Sequence, residues 1–90
     1  MGLGKDVDFP NIENWDGTRL VVSFAAESNG RQIDCAVSME ALQDHFGGDH
    51  LTPLEAFRAH RWEIERIAEY LIVRKRFEPD GSVLVRTQNC

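Results

Sequence analysis

The chain has 90 residues, enough for one domain with one core, and its 42% hydrophobic and 28% charged residues are those of an ordinary globular protein. A net charge of −5 argues against a general nucleic-acid binder. No apolar run reaches the ~20 residues of a membrane-spanning helix, and Met1 to Asp6 carries neither a secretory signal nor, with Asp at position 6, a myristoylation signal.

Residues 1–16 read as an acidic N-terminal arm with Asp6, Asp8, Glu13 and Asp16, and with a candidate short strand near Val7–Phe9. A single domain follows over 17–88, then a tail at 89–90. The strongest local signal is a hairpin. Thr18 to Ala26 and Arg31 to Val37 are strand-like runs flanking Asn29-Gly30, the preferred pair for a two-residue turn that needs positive φ at both positions. That turn sets Ser28 opposite Arg31. The apolar pairs Ala26–Ile33, Phe24–Cys35, Val22–Val37 and Leu20–Met39 then share one face. A one-residue slip would move every one of them to the other face.

Ser38 reads as the N-cap of a two-turn helix that ends at Gly47-Gly48, with Met39, Leu42 and Phe46 on one side. Thr52-Pro53-Leu54-Glu55 is a capping box with proline at the first helical position. The helix it opens is expected to run unbroken to Arg74–Arg76, a length of ~34 Å. Its apolar stripe is Leu54, Phe57, Ile64, Ile67, Ala68, Leu71 and Ile72. Pro79-Asp80-Gly81 marks a turn, and Ser82 to Thr87 a last strand with Val83 and Val85 inward. The expected fold is α+β in the order β-β-α-α-β. It has a three-stranded antiparallel sheet, four-stranded if Val7–Phe9 joins, and two helices packed on one face.

Several of these residues, in this order, resemble a known bacterial family. They are Phe24, Asn29-Gly30, Ile33-x-Cys35-x-x-Ser38, Leu42, Phe46-Gly47-Gly48, Phe57, Arg61-Trp62, Ile64 and Ala68. The pattern is similar to that of domain-of-unknown-function family 1488 from about Phe9 to Val85. The resemblance implies a compact antiparallel sheet with two helices in cytosolic bacterial proteins. It brings no activity and no catalytic residues.

Chemistry has few footholds. Cys35 falls on the inner sheet face as an inert thiol, and Cys90 lies in the tail, which argues for a reducing, cytoplasmic setting. No P-loop, nucleophile elbow or dinucleotide glycine pattern is present. The run Asp44-His45-Phe46-Gly47-Gly48-Asp49-His50 has metal-binding residue types but no ligand spacing, so Asp49 and His50 read as solvated and Gly48 as a source of loop freedom. No cofactor or metal is expected.

Three surfaces remain. His60 and Arg61 project about 60° and 40° to either side of Phe57 and form a candidate anion site, against the simpler reading that Arg61 meets a carboxylate of its own chain. Trp62 projects about 140° from Phe57 onto the polar face near Arg58, where it is either an interface residue or covered by the N-terminal arm or the last strand. Ser23, Ala25, Asp34 and Ala36 form a flat outer sheet face suited to a partner helix or a second copy. A basic patch of Arg66, Arg74, Lys75 and Arg76 is the alternative, a nucleic-acid contact. The expected function is a non-catalytic module that binds another protein or itself.

Overall fold

In the computed structural model, which describes residues 7–90, five strands form one sheet with three helices on a single face. The strands are β1 (Val7–Asp8), β2 (Glu13–Asp16), β3 (Val21–Ser28), β4 (Arg31–Ser38) and β5 (Val83–Val85). The helices are α1 (Met39–His45), α2 (Pro53–Ala59) and α3 (Arg61–Val73), and a 3₁₀ turn follows at Thr87–Asn89. The fold is α+β.

The hairpin has the register that the Asn-Gly turn dictates, with Ser28 opposite Arg31, Phe24 opposite Cys35 and Val22 opposite Val37. Asn29 and Gly30 both carry positive φ, 55° and 77°. The expected alternation fails only at its far end. Leu20 has φ 59° and is exposed, while its carbonyl accepts the Met39 N–H at 3.0 Å. Asp16 is the cause: its Oδ1 accepts the Thr18 and Arg19 N–H groups, which closes a tight turn and delays β3 to Val21.

The acidic arm is part of the sheet from Val7 onward, whereas Asp6 lies outside the described residues. β1 and β2 share one edge of β3, with Val7 opposite Ser28 and Glu13 opposite Phe24. Four residues, Phe9 to Ile12, stand against two of β3, so the edge strand is bulged where Pro10 has no N–H to offer a ladder. The Ile12 N–H closes on the Pro10 carbonyl at 2.8 Å. Alternation survives the bulge and keeps Phe9 and Glu13 on the helix side.

At the other edge the sheet is mixed rather than antiparallel throughout. β5 runs parallel to β4, with Cys35 opposite Val83 and Val37 opposite Val85. All three helices lie in the connection from β4, a crossover long enough for parallel pairing. Val83 and Val85 are buried inward as their spacing predicts.

The core lies between the sheet and the helices: Val22, Phe24, Val37, Leu42, Phe57, Ile64 and Val83 are among its buried members. Ser38 caps α1 through its Oγ, which accepts the Ala41 N–H at 3.0 Å. Both halves of the Thr52–Glu55 capping box form at the start of α2. The expected long helix is instead two. His60 leaves the helical region at φ −123°, ψ 25°, although its carbonyl still accepts the Ile64 N–H. The two helices then pack on different strands, α2 over β2 and β3 and α3 over β5.

Gly48 does not loosen its loop. Its N–H donates to the Leu42 carbonyl at 2.9 Å, and a Cβ there would stand 2.9 Å from the carbonyl carbon and oxygen of Leu42. Gly48→Ala is therefore expected to cost about 1–3 kcal/mol, as overpacking against backbone does. A melting temperature within 2 °C or so of the wild type would show that the α1 end can shift freely.

Candidate functional site

Glu13 organises the helix-side edge of the sheet. Because it stands opposite Phe24, its carboxylate faces α2 and α3 rather than the outer sheet surface. Arg58 Nε donates to its Oε2 at 2.7 Å, and Arg61 Nη2 donates to its Oε1. The Arg58 and Arg61 guanidiniums hold the Glu13 carboxyl below the usual glutamate range. Arg61 also lies 3.4 Å from Glu65 and 4.8 Å above the Phe57 ring. The arginine on the apolar stripe thus meets carboxylates of its own chain. His60 turns elsewhere, with Nδ1 2.8 Å from Glu63 and its ring 5.3 Å from Phe46. The two residues of the candidate anion site do not converge.

Trp62 lies on the outward face of α3 and is 69% exposed. Tyr70 and Val73, also more than half exposed, extend the same face towards the end of the helix. Arg66 is stacked 5.5 Å from the Trp62 ring and 5.6 Å from Phe9, and Nη1 is 3.3 Å from Glu69. Arg66 thus links Trp62, Phe9 and Glu69. Arg74 lies over Tyr70 at 4.8 Å. The result is a strip in which aromatic rings and guanidiniums alternate, the residue types most enriched at interface hot spots.

The outer sheet face is not flat. Ala25 and Ala36 are buried at the floor of a depression of about 350 Å³, bounded by Ile12 and Asn14 on one side and Ser82 on the other. Ser23 Oγ donates to the Asn14 carbonyl at 3.3 Å, and Asp34 is exposed. The unexpected β2 strand raises the wall.

Neither cysteine is bonded to another. Burial, with the Asp34 carboxylate beside it, pushes the Cys35 thiol up to about 12, and burial also raises Cys90. Burial thus favours the thiol form of Cys35 over the more reactive thiolate. Asp44 and His45 hold the chain past β5: Thr87 Oγ1 donates to Asp44 Oδ2 at 2.9 Å, and His45 Nε2 lies 3.1 Å from Thr87 Oγ1. No helix is long and apolar enough to cross a membrane, among the described residues.

The profile of the family described as a protein of unknown function, DUF1488, matches residues 7–85. The chain belongs to that family. The chain is also similar to the uncharacterized protein YrdB of Escherichia coli (strain K12), 40% identical over 84 residues, which span 90% of this chain and 96% of YrdB. YrdB of Shigella flexneri is 39% identical over the same shares. A crystal structure of a DUF1488 protein of unknown function from Shewanella loihica PV-4 superposes with a TM-score of 0.82 at 27% identity, covering 93% of this chain and 96% of that one. The DUF1488 match spans every element from β1 to β5, including the bulged edge and the parallel strand.

The residues singled out from the sequence do not include Glu13 as an organising residue, and they leave open whether Trp62 is covered; it is not, at 69% exposed. No local pattern marks Glu13: Glu13-Asn14-Trp15-Asp16 holds a single apolar residue, and only the pairing with β3 turns the Glu13 side chain towards the helices.

Proposed function

We propose that the protein is a non-catalytic cytoplasmic module that binds another protein, or a second copy of itself, through the outward face of α3. One observation carries the reading: Trp62 stands 69% exposed on a well-packed helix, braced by Arg66 and continued by Tyr70 and Val73. Holding a large apolar ring in water gives the monomer nothing, whereas the same ring dominates the energetics of an interface. The burial of Cys35 and the engagement of Arg61 by carboxylates of its own chain support a role without catalysis. The nucleic-acid alternative is weakened by the loss of Arg66 to Glu69 and by the net charge of −5.

Photo-crosslinking in the cell tests the reading, with p-benzoylphenylalanine in place of Trp62 and, as a control, in place of exposed Glu40. A discrete adduct from position 62 and none from position 40 is the expected result. No adduct from position 62, together with a monomer at every concentration in sedimentation, overturns it.

A further inference from the structure

β3 pairs with β4 along the full length of β4, but β5 covers only Cys35–Val37 of its opposite edge. Among the described residues no backbone hydrogen bond joins Arg31–Asp34 to the segment between α3 and β5. An open strand edge presents N–H and C=O groups that an added strand can satisfy. Beside this edge lies a depression of about 430 Å³, between the hairpin tip and the end of α3. Ile33, Ile72 and exposed Phe77 supply its apolar surface, and Arg31 and Lys75 supply its charge. No acidic residue lines it, on a chain that has 15 acidic and 10 basic residues. Neither Arg31 nor Lys75 forms an ion pair among the described residues.

Lys75 also occupies an unfavourable backbone position. The Lys75 N–H returns to the Ile72 carbonyl and the Arg76 N–H to the Leu71 carbonyl, which closes α3 in the motif that usually has glycine at its left-handed position. Here that position is Lys75, at φ 56°. A side chain with a Cβ thus stands where glycine would be less strained.

We propose that this edge and depression bind an extended acidic peptide segment of a partner protein as an added strand beside Arg31–Ile33. A strand laid ~4.8 Å from β4 shares its backbone hydrogen bonds. An apolar side chain of the peptide rests on Ile33 and Phe77, and carboxylates on either side of it reach Arg31 and Lys75. The backbone edge favours a peptide over a nucleic acid, which has no matching ladder of donors and acceptors. The site is separate from the Trp62 face and stands or falls independently of it.

Random dodecapeptides displayed on phage, selected on the purified protein, provide the probe. The selected pool is expected to be enriched in Asp and Glu around an apolar residue. A synthetic peptide from that pool should shift the backbone amides of Arg31–Asp34 in a saturable manner in NMR titrations of ¹⁵N-labelled protein. Arg31→Gln with Lys75→Gly should weaken binding at least tenfold, with a melting temperature equal to or above that of the wild type, because glycine relieves the left-handed position. Trp62→Ala should bind the peptide as the wild type does. An empty selection, a pool without acidic enrichment, undiminished binding by the double variant, or stronger shifts of the same amides by a single-stranded oligonucleotide each overturn the proposal.

Discussion

Phe57→Ala is expected to lower the melting temperature by roughly 15 °C or more, the largest effect of any single truncation considered. Phe57 is fully buried and sits 5.1 Å from Phe24 of the central strand, ring centroid to centroid. It is the point at which α2 is fastened to the sheet, and its ring also carries the Arg61 guanidinium. Truncating a buried phenylalanine costs about 3–5 kcal/mol in lost burial and residual cavity. A chain of this length shifts by about 4–8 °C for each kcal/mol. Thermal unfolding followed by far-UV circular dichroism measures it. Phe57→Leu should recover most of the loss, and a shift below 5 °C or so for the alanine variant would mean that α2 does not seal the core.

The second large effect is expected at Glu13. Glu13→Ala leaves Arg61, itself largely buried, without its nearest carboxylate and removes the Arg58 contact as well. Charge-assisted hydrogen bonds of this kind contribute ~1.5–3 kcal/mol each when shielded, and Arg58, which is mostly exposed, adds little. A loss of about 2 kcal/mol, or roughly 8–16 °C, is expected. In a double-mutant cycle with Arg61→Ala the two losses should not add. The pH dependence has a definite sign. The Glu13 carboxyl titrates lower in the folded chain than in the unfolded one, so its contribution is complete above the ordinary glutamate pKa of ~4.3 and disappears as the pH falls through the depressed value. Wild type and Glu13→Gln should therefore differ at pH 7 and converge on acidification. A constant gap down to pH 2 or so would exclude the ion pairs as its cause.

The elements that could be read from residues alone are those with a local chemical signature. Asn29-Gly30 permits few turns, and the alternation on both sides selects one register. Ser38 and the Thr52–Glu55 box announce helix starts through hydroxyls and carboxylates at fixed offsets. β2 has no such signature. Glu, Asn and Asp are poor strand formers, and that strand exists because β3 offers an edge and two arginines, 45 and 48 residues away, neutralise Glu13. The break at His60 is equally hidden, since neither glycine nor proline marks it and the different strands on which α2 and α3 pack are not written locally. The direction of β5 follows from where the crossover returns, not from Val83-Leu84-Val85. At the surfaces, helical projection puts Trp62 on the polar side of its helix but leaves open whether another segment covers it, and the open edge of β4 was not legible, because it depends on how short β5 proves to be.

The parallel pairing of β5 has a consequence in time. A ribosome delivers the hairpin and all three helices before it delivers Val83–Val85, so the nascent chain possesses its layers but not the strand that closes them. Until then the Cys35–Val37 margin of β4 is as bare as the Arg31–Asp34 margin remains afterwards, and Val37 lacks its Val85 neighbour. Such a half-closed sheet is the state most exposed to intermolecular strand pairing. Completion of the fold is thus a late, non-local step, and a chain stalled ahead of Val83 is expected to depend on chaperones for its solubility.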